Sequence, residues 1–262
     1  MREELRLCGL AAVRARFQRD ASSIQRLYFD AATARKVGVM SKALAAARKI
    51  YRTVEPAELE RIAGTVHHGG IVAVVAAPAL HEPGPGELRR WAARRTPLLV
   101  LDRIGNAHNL GAIARTAAFL GVEHLILTAD PAAAGPNDAA YRVAEGGLEH
   151  LGLWRTARLA EWLGELKAAG YDVVGAATRG GAPTATSRAP LALVMGNEEH
   201  GLAADVASAC SRLVTLRGSG KVESLNVSVA AGILLHALSQ SQAATPPPLR
   251  HASVSRKFKF KE

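Results

Sequence analysis

The stretch RGSGKVESLNVSVAAGILLH, residues 217–236, decides which kind of α/β fold this chain adopts. Two glycines and a lysine precede a Ser-Leu-Asn triplet, and a long apolar segment follows. A glycine-lysine loop before a helix suggests a phosphate cradle, but that reading fails. A mononucleotide loop needs Gly-x4-Gly-Lys-Ser/Thr, so that backbone N–H groups wrap the phosphates and a hydroxyl reaches magnesium. Here Val222 follows Gly220-Lys221, and Thr215 stands where the first glycine belongs. The dinucleotide pattern Gly-x-Gly-x-x-Gly after a first strand is also missing, since Gly84-Pro85-Gly86 lies in a Pro- and Arg-rich stretch.

From Val227 to Leu238 apolar residues occupy nearly every angle of a helical wheel, which predicts a helix buried on all sides. Its first turn nevertheless carries Ser224, Asn226 and Ser228. Orphaned polar groups cost about 1–3 kcal/mol each when buried. Ser224 as an N-cap explains one of the three. A ligand at the helix start explains the others as well.

Two more polar clusters follow apolar strands. Gly196-Asn197-Glu198-Glu199-His200-Gly201 follows LALVM, where a parallel α/β sheet presents ligands beyond the strand ends; a polar turn is the competing explanation, and His200 is given no role. Asn106 to Thr116 follows LLVLD. On its helical wheel Leu110, Ile113, Ala117 and Leu120 form one stripe, and Arg115 points almost opposite it. Arg115 is then either simply solvated or placed to reach an RNA phosphate.

The chain has 262 residues, 48% apolar and 21% charged, which suits a globular protein of two domains. No run approaches the roughly 18 apolar residues of a membrane span, and the N-terminus lacks a signal-peptide pattern, so a cytoplasmic location is expected. Cys8 and Cys210 lack CxxC spacing and are expected as reduced, buried thiols. No metal is expected, because the adjacent His67 and His68 lack a third ligand. The net charge of +10 sits at the two ends. Residues 1–52 hold 12 Lys/Arg against 4 Asp/Glu, and residues 249–262 hold 5 against 1. Such a distribution around a near-neutral middle points to a polyanion, with nucleic acid favoured over a merely solubilising role.

The organisation follows from these patterns. Residues 1–77 form a small α/β unit, with a helical stretch over Thr33–Lys49 and a strand over Gly70–Ala76. Residues 78–96 are rich in Pro and Arg and are expected as a linker. Residues 97–242 alternate strands and helices, the signature of a largely parallel sheet. Residues 243–262 form a basic tail with three consecutive prolines, for which disorder is expected.

Together Asn109-Leu110-Gly111-Ala112 with Arg115-Thr116-Ala117, Leu193 to Glu198 with Gly201-Leu202, and Gly220 with Ser224 to Ala230 resemble the three motifs of the SpoU/TrmH family of RNA ribose 2′-O-methyltransferases. The resemblance covers almost the whole chain. It implies an α/β fold with a parallel sheet, a deep trefoil knot in the C-terminal domain, a homodimer, and S-adenosylmethionine bound in the knot. Residues 7–76 resemble the RNA substrate-binding domain many members carry, a small α/β domain of ribosomal-protein L30e-like fold. By motif match Gly196, Leu216 and Leu225 would hold the cofactor, and Arg115, Asn109, Glu198, Ser224 and Asn226 would form the catalytic set. The implied substrate is structured RNA, rRNA ahead of tRNA. The alternative is a non-catalytic RNA-binding protein that kept the fold, against which the five intact catalytic positions count.

Overall fold

A computed structural model describes residues 4–185 and 187–239. The chain divides into two compact units, with Met1–Ala77 in the first and Pro78–Gln242 forming the second. The expectation of disorder over residues 243–262 lies outside the described residues.

The first unit runs β1 Glu4–Cys8, α1 Leu10–Asp20, β2 Ile24–Phe29, α2 Ala31–Ala34, α3 Gly38–Ala46, β3 Ile50–Thr53, α4 Pro56–Ala63 and β4 Ile71–Ala76. Its sheet has the order β1-β4-β2-β3, with β4 antiparallel to both neighbours and β3 parallel to β2. The IVAVVA of β4 is almost wholly buried because this strand is flanked on both edges. The single helix expected over Thr33–Lys49 is two. Asp30 caps α2 by accepting the Thr33 N–H at 2.7 Å, and the chain turns before restarting at Gly38, a residue that a continuous helix disfavours. Strand β1 was not foreseen. Lys49 lies just before the exposed edge strand β3, and its ammonium donates to the carbonyl oxygens of Ser22 and, at 2.7 Å, Ile24. Arg26 is ion-paired with Glu4, and Arg52 lies 3.9 Å from Glu58.

The second unit runs α5 Pro85–Arg94, β5 Leu98–Leu101, α6 Ala107–Phe119, β6 His124–Thr128, α7 Asp138–Ala144, β7 Gly152–Thr156, α8 Leu159–Ala168, β8 Asp172–Ala176, β9 Leu191–Met195, α9 Ala204–Ala209, β10 Arg212–Val214 and α10 Val227–Ser239. All six strands are parallel, in the order β10-β8-β9-β5-β6-β7. The chain leaves β5 through β6 and β7, then resumes on the other side with β8, so the order reverses at β5 and β9. Such a switch point opens a crevice beyond the carboxyl ends of the strands.

The buried cores explain the layers. Leu98, Val100, Ala192 and Val194 pack with Trp162, Leu163 and Leu166 of α8 and Val206 of α9. Alternation along parallel strands sends Leu99, Leu101, Leu193 and Met195, also buried, to the other face. Within the stretch expected as a linker, α5 buries Leu88 and Trp91 in the first of these cores. Helix α10 corrects another expectation. It packs on α6 and β9, yet Val229 and Ile233 are 50% and 44% exposed, so one of its faces is not buried within the chain. Glycines set the closeness of α6 to its neighbours. A Cβ on Gly111 would lie 2.5 Å from the Ala140 carbonyl oxygen, and one on Gly147 would lie 2.7 Å from Arg115 Cα.

His124 on β6 lies 4.3 Å, centroid to centroid, from Trp91, and its Nδ1 accepts the Trp154 indole N–H at 3.3 Å. Burial pushes its pKa down to about 4. Among the described residues no helix is long and apolar enough to cross a membrane, and no three His, Cys, Asp or Glu side chains cluster as a metal site.

Candidate active site

Three loops meet beyond the carboxyl ends of β5, β9 and β10. After β5, Asn106 caps α6 by accepting the His108 N–H at 2.8 Å, which turns Asn109 outward on the first turn. After β9, the loop closes as a tight reversal. Asn197 N–H donates to the Gly201 carbonyl at 3.0 Å and Gly201 N–H returns the bond at 2.9 Å. A Cβ on Gly196 would collide with the backbone of Gly201 and Leu202. The glycine is therefore needed for closure of its own loop, whatever it does for a ligand.

Glu198 is the hub. Its carboxylate accepts from the Gly105 N–H at 3.0 Å, the Asn106 N–H at 3.2 Å and Asn109 Nδ2 at 2.9 Å. Burial pushes its pKa up, but the Asn109 and backbone hydrogen bonds outweigh that and hold it below the usual glutamate value. Asn109 passes the chain on: its Oδ1 accepts from Asn226 Nδ2 at 3.1 Å. Asn226 Oδ1 in turn accepts from the Ser228 N–H at 2.8 Å and the Ser228 hydroxyl at 2.6 Å. Asn226, not Ser224, thus caps α10, which begins at Val227. Asn109 is brought together with Glu198, 89 residues away, and with Asn226, 117 residues away. Because each amide uses both ends, their orientations are fixed.

Next to this network lies a cavity of about 1010 Å³ lined from the ends of β8, β9 and β10 and from the loop before α10. Gly196, Leu216 and Leu225 all line it, as do Glu198, Ser224 and His200. The volume suits a nucleoside-sized ligand, and a lining of backbone edges with leucine side chains suits an adenosine moiety. S-adenosylmethionine fits that description.

Arg115 stands apart. It lies two turns down α6, exposed, with Nη1 3.1 Å from Glu145 Oε1; the two side chains are 57% and 56% exposed. No hydrogen bond joins it to Asn109, Glu198 or Asn226. Glu145 ends α7 with a left-handed backbone, φ 45°, which brings its carboxylate round to α6. Sequence reasoning gave no role to Asp102 or Gly105, and left Asn106, Asn197 and His200 without one although they lie in the two polar clusters. Asp102 gave a signal, as the one polar residue closing the apolar run LLVLD.

Comparisons with known proteins agree with this geometry. The SpoU rRNA Methylase family matches residues 96–236, and residues 6–80 match a family described as RNA 2′-O ribose methyltransferase substrate binding. A Ralstonia nicotianae protein named 23S rRNA (guanosine-2′-O-)-methyltransferase RlmB is 36% identical over 245 residues, covering 92% of this chain and 97% of its own. An Escherichia coli O157:H7 protein named uncharacterized tRNA/rRNA methyltransferase YfiF is 32% identical over 89% of this chain and 67% of its own. The AdoMet-bound rRNA methyltransferase of Sinorhizobium meliloti shares the fold with a TM-score of 0.75 at 22% identity, over 91% of this chain and 87% of that one. The SpoU methyltransferase AviRb of Streptomyces viridochromogenes, also in complex with AdoMet, aligns with a TM-score of 0.68 at 22% identity over 93% and 92%. With its family pattern spanning the parallel-sheet unit and a relative matched nearly end to end, this chain belongs to the SpoU rRNA methylase family.

Proposed function

We propose that this chain transfers a methyl group from S-adenosylmethionine to a ribose 2′-hydroxyl of structured RNA, rRNA ahead of tRNA. The observation that carries the reading is the Glu198–Asn109–Asn226 network at the rim of a cavity built from strand ends. When bound, S-adenosylmethionine supplies an electrophilic methyl on a sulfonium centre. The protein's own groups must align the ribose hydroxyl, favour loss of its proton and keep water out. Asn109 and Asn226 carry fixed amides on from Glu198, which lines the cavity together with Ser224. A guanidinium holds its proton too tightly to act as a base. Arg115 therefore binds an RNA phosphate and stabilises the developing alkoxide, while the proton leaves through a phosphate oxygen or water. Glu145 is its resting partner. Gly196, Leu216 and Leu225 hold the cofactor in the cavity.

The remaining parts of the reading have their own support. The cationic first unit, of L30e-like fold, binds RNA by neutralising backbone phosphates with its lysines and arginines. The stretch from β9 to α10 threads as a deep trefoil knot, which the insertion of β9 between β5 and β8 and the return of α10 onto β9 support. A second copy covers the apolar residues that α6 and α10 expose, Phe119 at 87%, Val229 and Ile233, giving a homodimer. The enzyme acts in the cytoplasm.

The test is to incubate the full chain with methyl-labelled S-adenosylmethionine and rRNA or tRNA, and to map label to ribose positions. Alkali-resistant linkages are expected with rRNA. Cofactor binding without any transfer to either RNA would favour the non-catalytic binder.

A further inference from the structure

Asp102 directly follows β5, with a side chain only 3% exposed. A carboxylate so placed needs compensation from several donors, and three reach it. Arg103 Nε lies 2.9 Å from Oδ1, Arg103 Nη2 lies 3.2 Å from Oδ2, and the Ala203 N–H lies 2.7 Å from Oδ2. Arg103 folds back onto its own neighbour with a left-handed backbone, φ 56°, uncommon for a residue with a side chain. Its carbonyl accepts Asn197 Nδ2 at 2.8 Å.

The loops after β5 and β9 are therefore joined at three levels: Asp102 to Ala203, Arg103 to Asn197, and Gly105 with Asn106 to Glu198. The reversal from Asn197 to Gly201 is held at its start by the last two and just past its end by the first. Gly201 and Leu202, the stretch between, form part of the cavity wall.

We infer that Asp102 is a positioning residue: anchored by Arg103, it fixes the cavity wall at Gly201–Leu202 and so sets the affinity for the methyl donor, while touching neither donor nor RNA. The inference rests on the cavity being the S-adenosylmethionine site. Asp102→Asn keeps the shape but turns one terminal oxygen into a donor, which must face either Arg103 or the Ala203 N–H. Arg103→Met keeps the Ala203 bond and removes the countercharge.

Both full-length variants are to be titrated with S-adenosylmethionine by calorimetry and assayed with each substrate varied in turn. For Asp102→Asn a cofactor Kd and KM raised at least tenfold are expected, with KM for RNA within twofold of wild type. Arg103→Met should shift the same constants less, in the same direction, and decides the matter if Asp102→Asn does not fold. Cofactor affinity within twofold of wild type in the folded variants overturns the inference, as does an equal loss of RNA affinity. A wild-type chain that binds no S-adenosylmethionine overturns the functional reading, and this inference with it.

Discussion

Asn226 donates to Asn109 across 3.1 Å while its other amide atom caps α10. One side chain thus fixes both a helix start and a link between two motifs. Asn226→Asp separates the two. The carboxylate still caps, so the melting temperature should stay within a few degrees of wild type. The donor to Asn109 is gone, and a negative charge now stands near Glu198. Methyl transfer should fall at least a hundredfold, measured as single-turnover rate at saturating cofactor.

Glu198→Gln tests the hub. A glutamine oxygen can replace Oε1, which accepts from Asn109 and the Asn106 N–H, or Oε2, which accepts from the Gly105 N–H, but its amino group must then face the other donor or donors. Turnover is expected to fall by ten- to a hundredfold. In the wild type the lowered pKa of Glu198 contributes stability that is complete above the ordinary value of 4.5 and is lost as pH falls through its folded value. Urea midpoints compared at pH 6 and pH 4 should therefore differ less in Glu198→Gln than in wild type.

Arg115 and Glu145 form an exposed pair, which is worth at most about 1 kcal/mol. Glu145→Gln should leave stability nearly unchanged and bind RNA equally or more tightly, because Arg115 is freed. Arg115→Ala should cut single-turnover transfer at least a hundredfold. Arg115→Lys should not restore it, since an ammonium lacks the forked geometry. Near-normal turnover in Arg115→Lys would remove the bidentate role.

His124 makes stability depend on pH in a different window. Its folded pKa of about 4 lies below the ordinary 6.5, so the unfolded chain takes up the proton first. The stabilisation is whole above pH 6.5 and declines as pH falls toward 4. After discounting for partial exposure the loss should be about 1–2 kcal/mol, read from urea titrations at pH 7.5 and 4.5. His124→Phe should flatten that difference.

Ile233→Asp should test the exposed face of α10. If a second copy covers it, sedimentation will show monomers, with the circular dichroism spectrum unchanged. A wild-type chain that sediments as a monomer at assay concentrations rejects the dimer.

The parallel sheet was legible because β5 and β9 are uninterrupted apolar runs between helical patterns. Three features were not, each for a physical reason. Helix α5 hides in a stretch rich in Pro and Arg because only Leu88 and Trp91, three residues apart, are buried to hold it. Helix α10 read as buried all round because a sequence does not distinguish an apolar residue meant for the core from Val229 or Ile233, which face outward. Glu198 was visible as a candidate, but two of its three donors are backbone groups of Gly105 and Asn106, which no residue type announces. The Arg115–Glu145 pairing likewise depends on how α7 ends, not on spacing.

The tethering of Lys49 beneath two carbonyls changes what the basic first unit offers to RNA. That ammonium already has its hydrogen-bonding partners, and Arg26 already has Glu4. Ion release on association scales with the phosphates neutralised. The steepness with which RNA affinity declines as potassium rises should therefore be shallower than a tally of lysines and arginines implies.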